Sequence, residues 1–293
     1  MNFKIGHVTK KEAGTGCSVI LCPPETVASA HARGAAPATR EYALLQPFRK
    51  VNTIHALLLT GGSAFGLDAA AGVMKYLRER GIGYPTPFGA VPIVPAASIY
   101  DLYSGWNDVF PEPQDAYNAC LAASTENRQS GPIGAGTGAT VGKWAGFEFM
   151  QPGGLGRHTE KFGDLVVDVL AVVNPVGDLI NASGKIVAGA QRDGRFLAEG
   201  NPKVRWQPNN INFGQNTILV ALMTNARLTK LELNYLSERA HNGIVRAVMP
   251  AHTSYDGDLV FSLSHGSVTA DIDQVVEMAV EATRCAILSV GEK

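Results

Sequence analysis

Thr217 follows Asn216 and opens an apolar run that continues to Met223. A hydroxyl is a weak nucleophile until a base takes its proton. Cutting the Asn216-Thr217 bond would free an α-amino group on that same Thr. Such an amine, with a pKa of about 8, can serve as the base. One cleavage would then create nucleophile and base together. Read by itself, the segment is equally a strand that begins on Thr, a residue favoured in strands.

Asp256-Gly257-Asp258 stands downstream, after Pro250-Ala251-His252-Thr253. Two carboxylates across one Gly can turn to a shared site, hold an ammonium group or orient a hydroxyl. Their repulsion would raise one pKa. Asp-Gly is also a common turn. His252 beside two Asp could suggest a metal, but no second His lies nearby at ligand spacing, so none is expected. The Gly-rich stretch from Gly134 to Gly142 has the look of a dinucleotide fingerprint, yet no strand precedes it and no clear helix follows. Lys143 is not followed by Ser or Thr, so it is no P-loop either. The stretch reads as backbone packed closely around a site, with Lys143 either brought into it or left in solvent. Finally, Leu57 to Asp68 reads as strand, Gly61-Gly62-Ser63 turn and helix. Ser63 lacks the setting of a nucleophile elbow. The turn's amides could bind an anion, although tight strand-to-helix packing is the plainer use.

Hydrophobic spacing supplies the elements that must position these residues. Strands are expected over 17–22, 55–60, 217–224 and 259–264. The run 165–174 is apolar except for Asp168, the pattern of a strand covered on both faces. Helices are expected over 65–80, 115–127, 228–241 and 273–288. Thr229 and Glu232 make a capping box, with Leu228 and Leu233 as its hydrophobic staple. Asn242-Gly243 should end that helix. Strands alternating with amphipathic helices imply layered α/β or α+β packing.

With 293 residues, 45% of them hydrophobic, the chain can bury a sizeable core, read here as one domain over 1–293. A formal net charge of −1 suggests neither nucleic acid nor an anionic membrane as partner. Cys17, Cys22, Cys120 and Cys285 form no CxxC pair and read as reduced thiols of a cytoplasmic protein. The first residues lack the apolar core of a signal peptide.

Taken together, these segments resemble the L-aminopeptidase/D-esterase family of self-processing N-terminal nucleophile hydrolases. That family includes β-aminopeptidases and endo-type 6-aminohexanoate-oligomer hydrolases. The resemblance runs along nearly the whole chain, from Gly14-Thr15-Gly16-Cys17 and Arg33-Gly34-Ala35-Ala36-Pro37 through Thr60-Gly61-Gly62-Ser63-Ala64-Phe65-Gly66 to His241-Asn242-Gly243 and Asp256-Gly257-Asp258. It implies a four-layer αββα sandwich of the α+β class, cut after Asn216 into subunits 1–216 and 217–293. It implies Thr217 as nucleophile, Asp256 and Asp258 as the pair that orients it, and Tyr100, Asn174 and Lys143 as further site residues. Tyr100 and Asn174 would stand near the oxyanion. No metal or organic cofactor is implied. The substrate would be a small peptide, an amino-acid amide or a linear amide oligomer, and the assembly a homo-oligomer, a tetramer or larger. Asn225 departs from the pattern, since many relatives carry Asp there; the change removes a charge expected near the site. An acyltransferase of the ornithine acetyltransferase type, or a non-catalytic assembly protein with the same fold, would share much of this pattern.

Overall fold

The computed structural model describes residues 1–103, 108–206 and 216–291. Two five-stranded sheets form its centre. The first runs in the order Lys4–Lys10, Thr15–Leu21, Ala56–Thr60, Ala96–Ser98, Ala38–Arg40. The second runs Gly154–Phe162, Leu165–Asn174, Thr217–Ala226, Leu259–Val268, Val27–Ala32. Period-2 alternation along each strand divides its side chains between two cores. Leu57 and Leu59 of the first sheet meet Leu170, Leu219 and Phe261 of the second. Val19 and Leu58 instead face the helices Ala70–Arg78 and Pro113–Leu121 through Val73, Leu77 and Ala116. Val169, Ile218 and Val220 face the helices Lys230–Ala247 and Ile272–Leu288. Three apolar interfaces separate four layers, as the resemblance implied.

Thr217–Ala226 lies mid-sheet, antiparallel to Leu165–Asn174 and parallel to Leu259–Val268. The parallel pair is joined through the Lys230–Ala247 helix, the connection that parallel strands require. Asp168, the one charge in its apolar strand, meets Arg157 on the neighbouring strand in a nearly buried ion pair at 2.5 Å and also accepts from Thr159. A buried carboxylate is tolerated there because it is paired.

Several boundaries differ from the sequence expectation. The helix expected over 65–80 starts earlier, as a short turn Ser63–Gly66 and a 3-10 turn Leu67–Ala69 before Ala70–Arg78. The one expected over 115–127 is Pro113–Leu121, and Ser124 pairs with Ile5 instead. The Thr229–Glu232 capping box forms, but Asn242-Gly243 does not end the helix, which continues to Ala247. Gly243 is buried against the closing helix, where a Cβ would meet the Val280 carbonyl oxygen at 2.4 Å. This Gly permits close helix packing; it is not a stop. The amides of the Gly61-Gly62-Ser63 turn are taken up internally: Gly62 N–H donates to Asp101 Oδ1 at 2.7 Å, and Gly61 and Ser63 donate to the Gly16 and Ile99 carbonyls.

Candidate active site

The site forms where the start of Thr217–Ala226 meets the end of Leu165–Asn174. Thr217 stands directly opposite Asn174 in the antiparallel register. Leu219 and Ala221 face the inter-sheet core, and so do Leu170 and Val172. The two-residue period puts Thr217 and Asn174 on that same face, where opposed Cβ atoms lie roughly 4.5–5.5 Å apart. Both residues are buried.

Thr217 Oγ1 donates to the carbonyl oxygen of Asn216 at 2.5 Å. Gly257 N–H donates to that same oxygen at 2.7 Å. Position 257 must be Gly, because a Cβ there would come within 2.8 Å of Thr217 Oγ1 and 2.6 Å of the Ala36 carbonyl. The acidic pair flanks this contact. Asn216 bridges to Asp256 in parallel fashion. Asp256 accepts from Thr253 N–H at 2.8 Å, Thr253 Oγ1 at 2.7 Å and Val176 N–H at 3.3 Å. Asp258 accepts from Ile218 N–H at 2.7 Å and from the His252 ring at 2.8 Å. Burial raises the Asp256 pKa, and the nearby Asp258 charge raises it further. The segment after Val27–Ala32 closes over the pair: Arg33 and Gly34 donate to the Asp258 carbonyl and Ala36 to that of Asp256.

Lys143 is drawn inside. Its Nζ lies 2.7 Å from Asn174 Oδ1, 2.9 Å from the Thr140 carbonyl, 3.1 Å from Thr140 Oγ1 and 3.3 Å from the Tyr103 hydroxyl. Burial pushes its pKa well below the usual lysine value, and Asp256 opposes that fall. Asn174 Oδ1 also accepts from Thr140 N–H at 3.0 Å and Tyr103 OH at 2.9 Å. These three donors fix which way the amide points, and its Nδ2 donates to the Tyr100 carbonyl at 3.2 Å. Tyr100 therefore meets Asn174 through its backbone, while its ring lies against Tyr103 at 5.6 Å between centroids.

Sequence reasoning missed Tyr103, Thr140 and the Gly257 amide. Tyr103 carried no signal of its own, and a backbone N–H carries none. His252 was weighed only as a metal ligand; here it binds a carboxylate. Asn225 lies eight residues along its strand from Thr217, roughly 26 Å at the usual rise. Its side chain holds Val166 N–H and the Asp164 carbonyl, each at 2.8 Å. The expectation that this position places charge near the site is therefore corrected: it supports a distant hairpin. Among the described residues, one group of potential metal ligands gathers, His158, Glu160 and Cys285, on other elements than the site. All four cysteines are free, and among the described residues no helix is long and apolar enough to cross a membrane.

Residues 2–290 match the model of peptidase family S58. The chain is 34% identical to an uncharacterized aminopeptidase of Mycobacterium tuberculosis strain H37Rv, over 99% of this chain and 87% of that protein. It is 30% identical to a 6-aminohexanoate-oligomer endohydrolase of Kocuria sp. strain KY2, over 89% of this chain and 72% of that protein. The L-aminopeptidase D-Ala-esterase/amidase of Ochrobactrum anthropi, a variant of the Ntn hydrolase fold, superposes with a TM-score of 0.73 at 19% identity, covering 99% and 84% of the two chains. A β-aminopeptidase of Burkholderia sp. superposes at 0.72 and 17% identity, with the same coverage. The fold is that of the Ntn hydrolases, and the chain belongs to peptidase family S58, as a hydrolase of amide bonds.

Proposed function

We propose that this hydrolase is made as a precursor and cuts itself between Asn216 and Thr217, giving subunits of residues 1–216 and 217–293. The observation that carries the reading is the double grip on one carbonyl: Thr217 Oγ1 at 2.5 Å and Gly257 N–H at 2.7 Å both meet Asn216 O. The hydroxyl lies beside the bond it would attack. Attack on the Asn216 carbonyl carbon forms a C–O bond, and the developing oxyanion stays on the Gly257 amide. The C–N bond then breaks, and its electron pair and the hydroxyl proton go to the new α-amino group. Water hydrolyses the resulting Asn216 ester to a carboxylate and releases the Thr217 hydroxyl.

The freed Thr217 then acts on substrate. Its own amine takes the Oγ proton, Oγ acylates, and the amine returns the proton to the leaving amine. Asn174, held by Lys143 and facing Thr217 across the strands, supplies a donor for the oxyanion. Tyr100 supports Asn174 through its carbonyl. Asp256 and Asp258 orient the ammonium group and the peptide behind it. The substrate class is a small peptide, an amino-acid amide or a linear amide oligomer, in keeping with what the relatives' names describe. A cytoplasmic setting, supported by the four free thiols, and a homo-oligomer complete the reading.

Mass spectrometry of the denatured protein tests the cleavage. Dividing 31.0 kDa by residue count predicts fragments of about 23 and about 8 kDa. Thr217→Ala should stay whole and be inactive. An intact wild-type chain with full amidase activity would defeat the proposal.

A further inference from the structure

We propose that His252 is a positioning residue for the nucleophile and acts through Asp258. This rests on the reading of Thr217 given above. His252 Nδ1 lies 2.8 Å from Asp258 Oδ2, and its backbone N–H donates to the same oxygen at 3.3 Å. A carboxylate can only accept, so the ring proton sits on Nδ1. The other carboxylate oxygen, Oδ1, holds the Ile218 N–H at 2.7 Å. That amide belongs to the peptide bond leaving Thr217. Turning the Asp258 carboxylate would therefore turn the peptide that aims Thr217 Oγ1. Asp258 is buried, so no bulk water replaces a lost partner.

The ring has little freedom to turn. His241 packs against it edge-on, with centroids 4.9 Å apart. His241 Nε2 donates to the His31 carbonyl at 3.0 Å, and burial lowers its pKa to about 3, so this second ring is neutral. His252 Nε2 and His241 Nδ1 are both buried without a protein partner among the described residues. The Nδ1–H of His252 thus has one carboxylate to serve. The other tautomer would set a ring lone pair against the Asp258 charge. The backbone at His252 has φ 55°, a left-handed conformation uncommon outside Gly, which His and Asn adopt more readily than most residues. It brings the N–H and the ring of one residue onto one oxygen.

Asn tolerates that φ and can place an amide N–H where Nδ1 sits. The test compares His252→Phe, which keeps a ring and removes the donor, with His252→Asn, which keeps a donor. Phe should lower kcat about tenfold to hundredfold, the weight of a hydrogen bond to a charged group, with KM changed less than about threefold. Asn should restore most of kcat. Wild-type kcat in the Phe variant, or an Asn variant as slow as Phe with an unchanged melting temperature, would overturn the proposal. The ¹⁵N shifts of wild-type His252 give a check that needs no variant: a protonated Nδ1 is expected, and a protonated Nε2 with bare Nδ1 would overturn it. Thr217→Ala is run alongside. If that variant keeps activity, the reading of Thr217 fails, whatever His252 does.

Discussion

Asn174 shows how much of the proposed chemistry rests on one side chain. Three donors converge on its Oδ1, from Lys143, Thr140 and Tyr103. Its amide is therefore oriented before any substrate arrives. An oriented donor at an oxyanion is worth roughly 3–4 kcal/mol. Asn174→Ala should lower kcat by a factor of about 100 or more, while the protein still melts cooperatively; steady-state kinetics beside a thermal melt separate the two. Lys143→Met tests the support behind it. The substitution fills a similar volume but removes the strongest donor to Oδ1, so both fragment formation and turnover should slow by about tenfold or more. A time course of fragment formation on denaturing gels, with kcat measured in parallel, reads both. Unchanged rates in both would detach Lys143 from the site.

At the scale of elements, close backbone approach decides more than propensity does. Gly243 sits in the middle of the Lys230–Ala247 helix, where Ala would gain about 1 kcal/mol of helix propensity. A Cβ there meets the Val280 carbonyl at 2.4 Å and Thr283 Cβ at 2.7 Å. Overpacking costs about 1–3 kcal/mol, and these contacts are with backbone and a buried side chain, so the clash should win. Gly243→Ala should lower the urea midpoint; a raised midpoint would show that the helices can separate cheaply. Asp101 ties the Gly61-Gly62-Ser63 turn to the Thr15–Leu21 strand, accepting from Thr15 Oγ1 and Gly62 N–H, each at 2.7 Å. Burial raises its pKa from 3.8 to about 6. A raised carboxyl pKa means that its stabilising protonated form is fully present below about pH 4 and lost as pH rises through about 6. Wild type should therefore lose on the order of 3 kcal/mol relative to Asp101→Asn between pH 4 and pH 7. Urea titrations at several pH values measure the difference, and a flat difference would contradict the shift.

At the scale of the whole molecule, the bond proposed to break lies at the start of a central strand. Thr217–Ala226 is paired on both sides, by Leu165–Asn174 and Leu259–Val268. The first neighbour would belong to one subunit and the second to the other. The two pieces share two of the three apolar interfaces, the one between the sheets and the one under the Lys230–Ala247 and Ile272–Leu288 helices, so cleavage should not release them. Size-exclusion chromatography of the cut protein should give one native peak that resolves into two fragments only in denaturant. Two native peaks would show that the strand is not held as described.

The sequence by itself determined the period of each long element, the capping box at Thr229, and the order of chemically able residues along the chain. Those are local properties, written in side-chain type and spacing. It placed Thr217 at a strand start and Asp256-Gly257-Asp258 before another. It misjudged Asn242-Gly243 because a Gly that ends a helix and a Gly that lets two helices touch look alike until the second helix is present. It missed Tyr103 and the Gly257 amide because neither is marked out except by what it faces. Only the tertiary structure decided that Asn174 lies opposite Thr217, that Lys143 is buried on Asn174 and not in solvent, and that His252 serves Asp258. For Asn174 and Thr217 the reason is register; Lys143 and His252 reach their partners through the turns that carry them. Strand pairing brings together residues tens of positions apart, and no local pattern specifies which pair will meet.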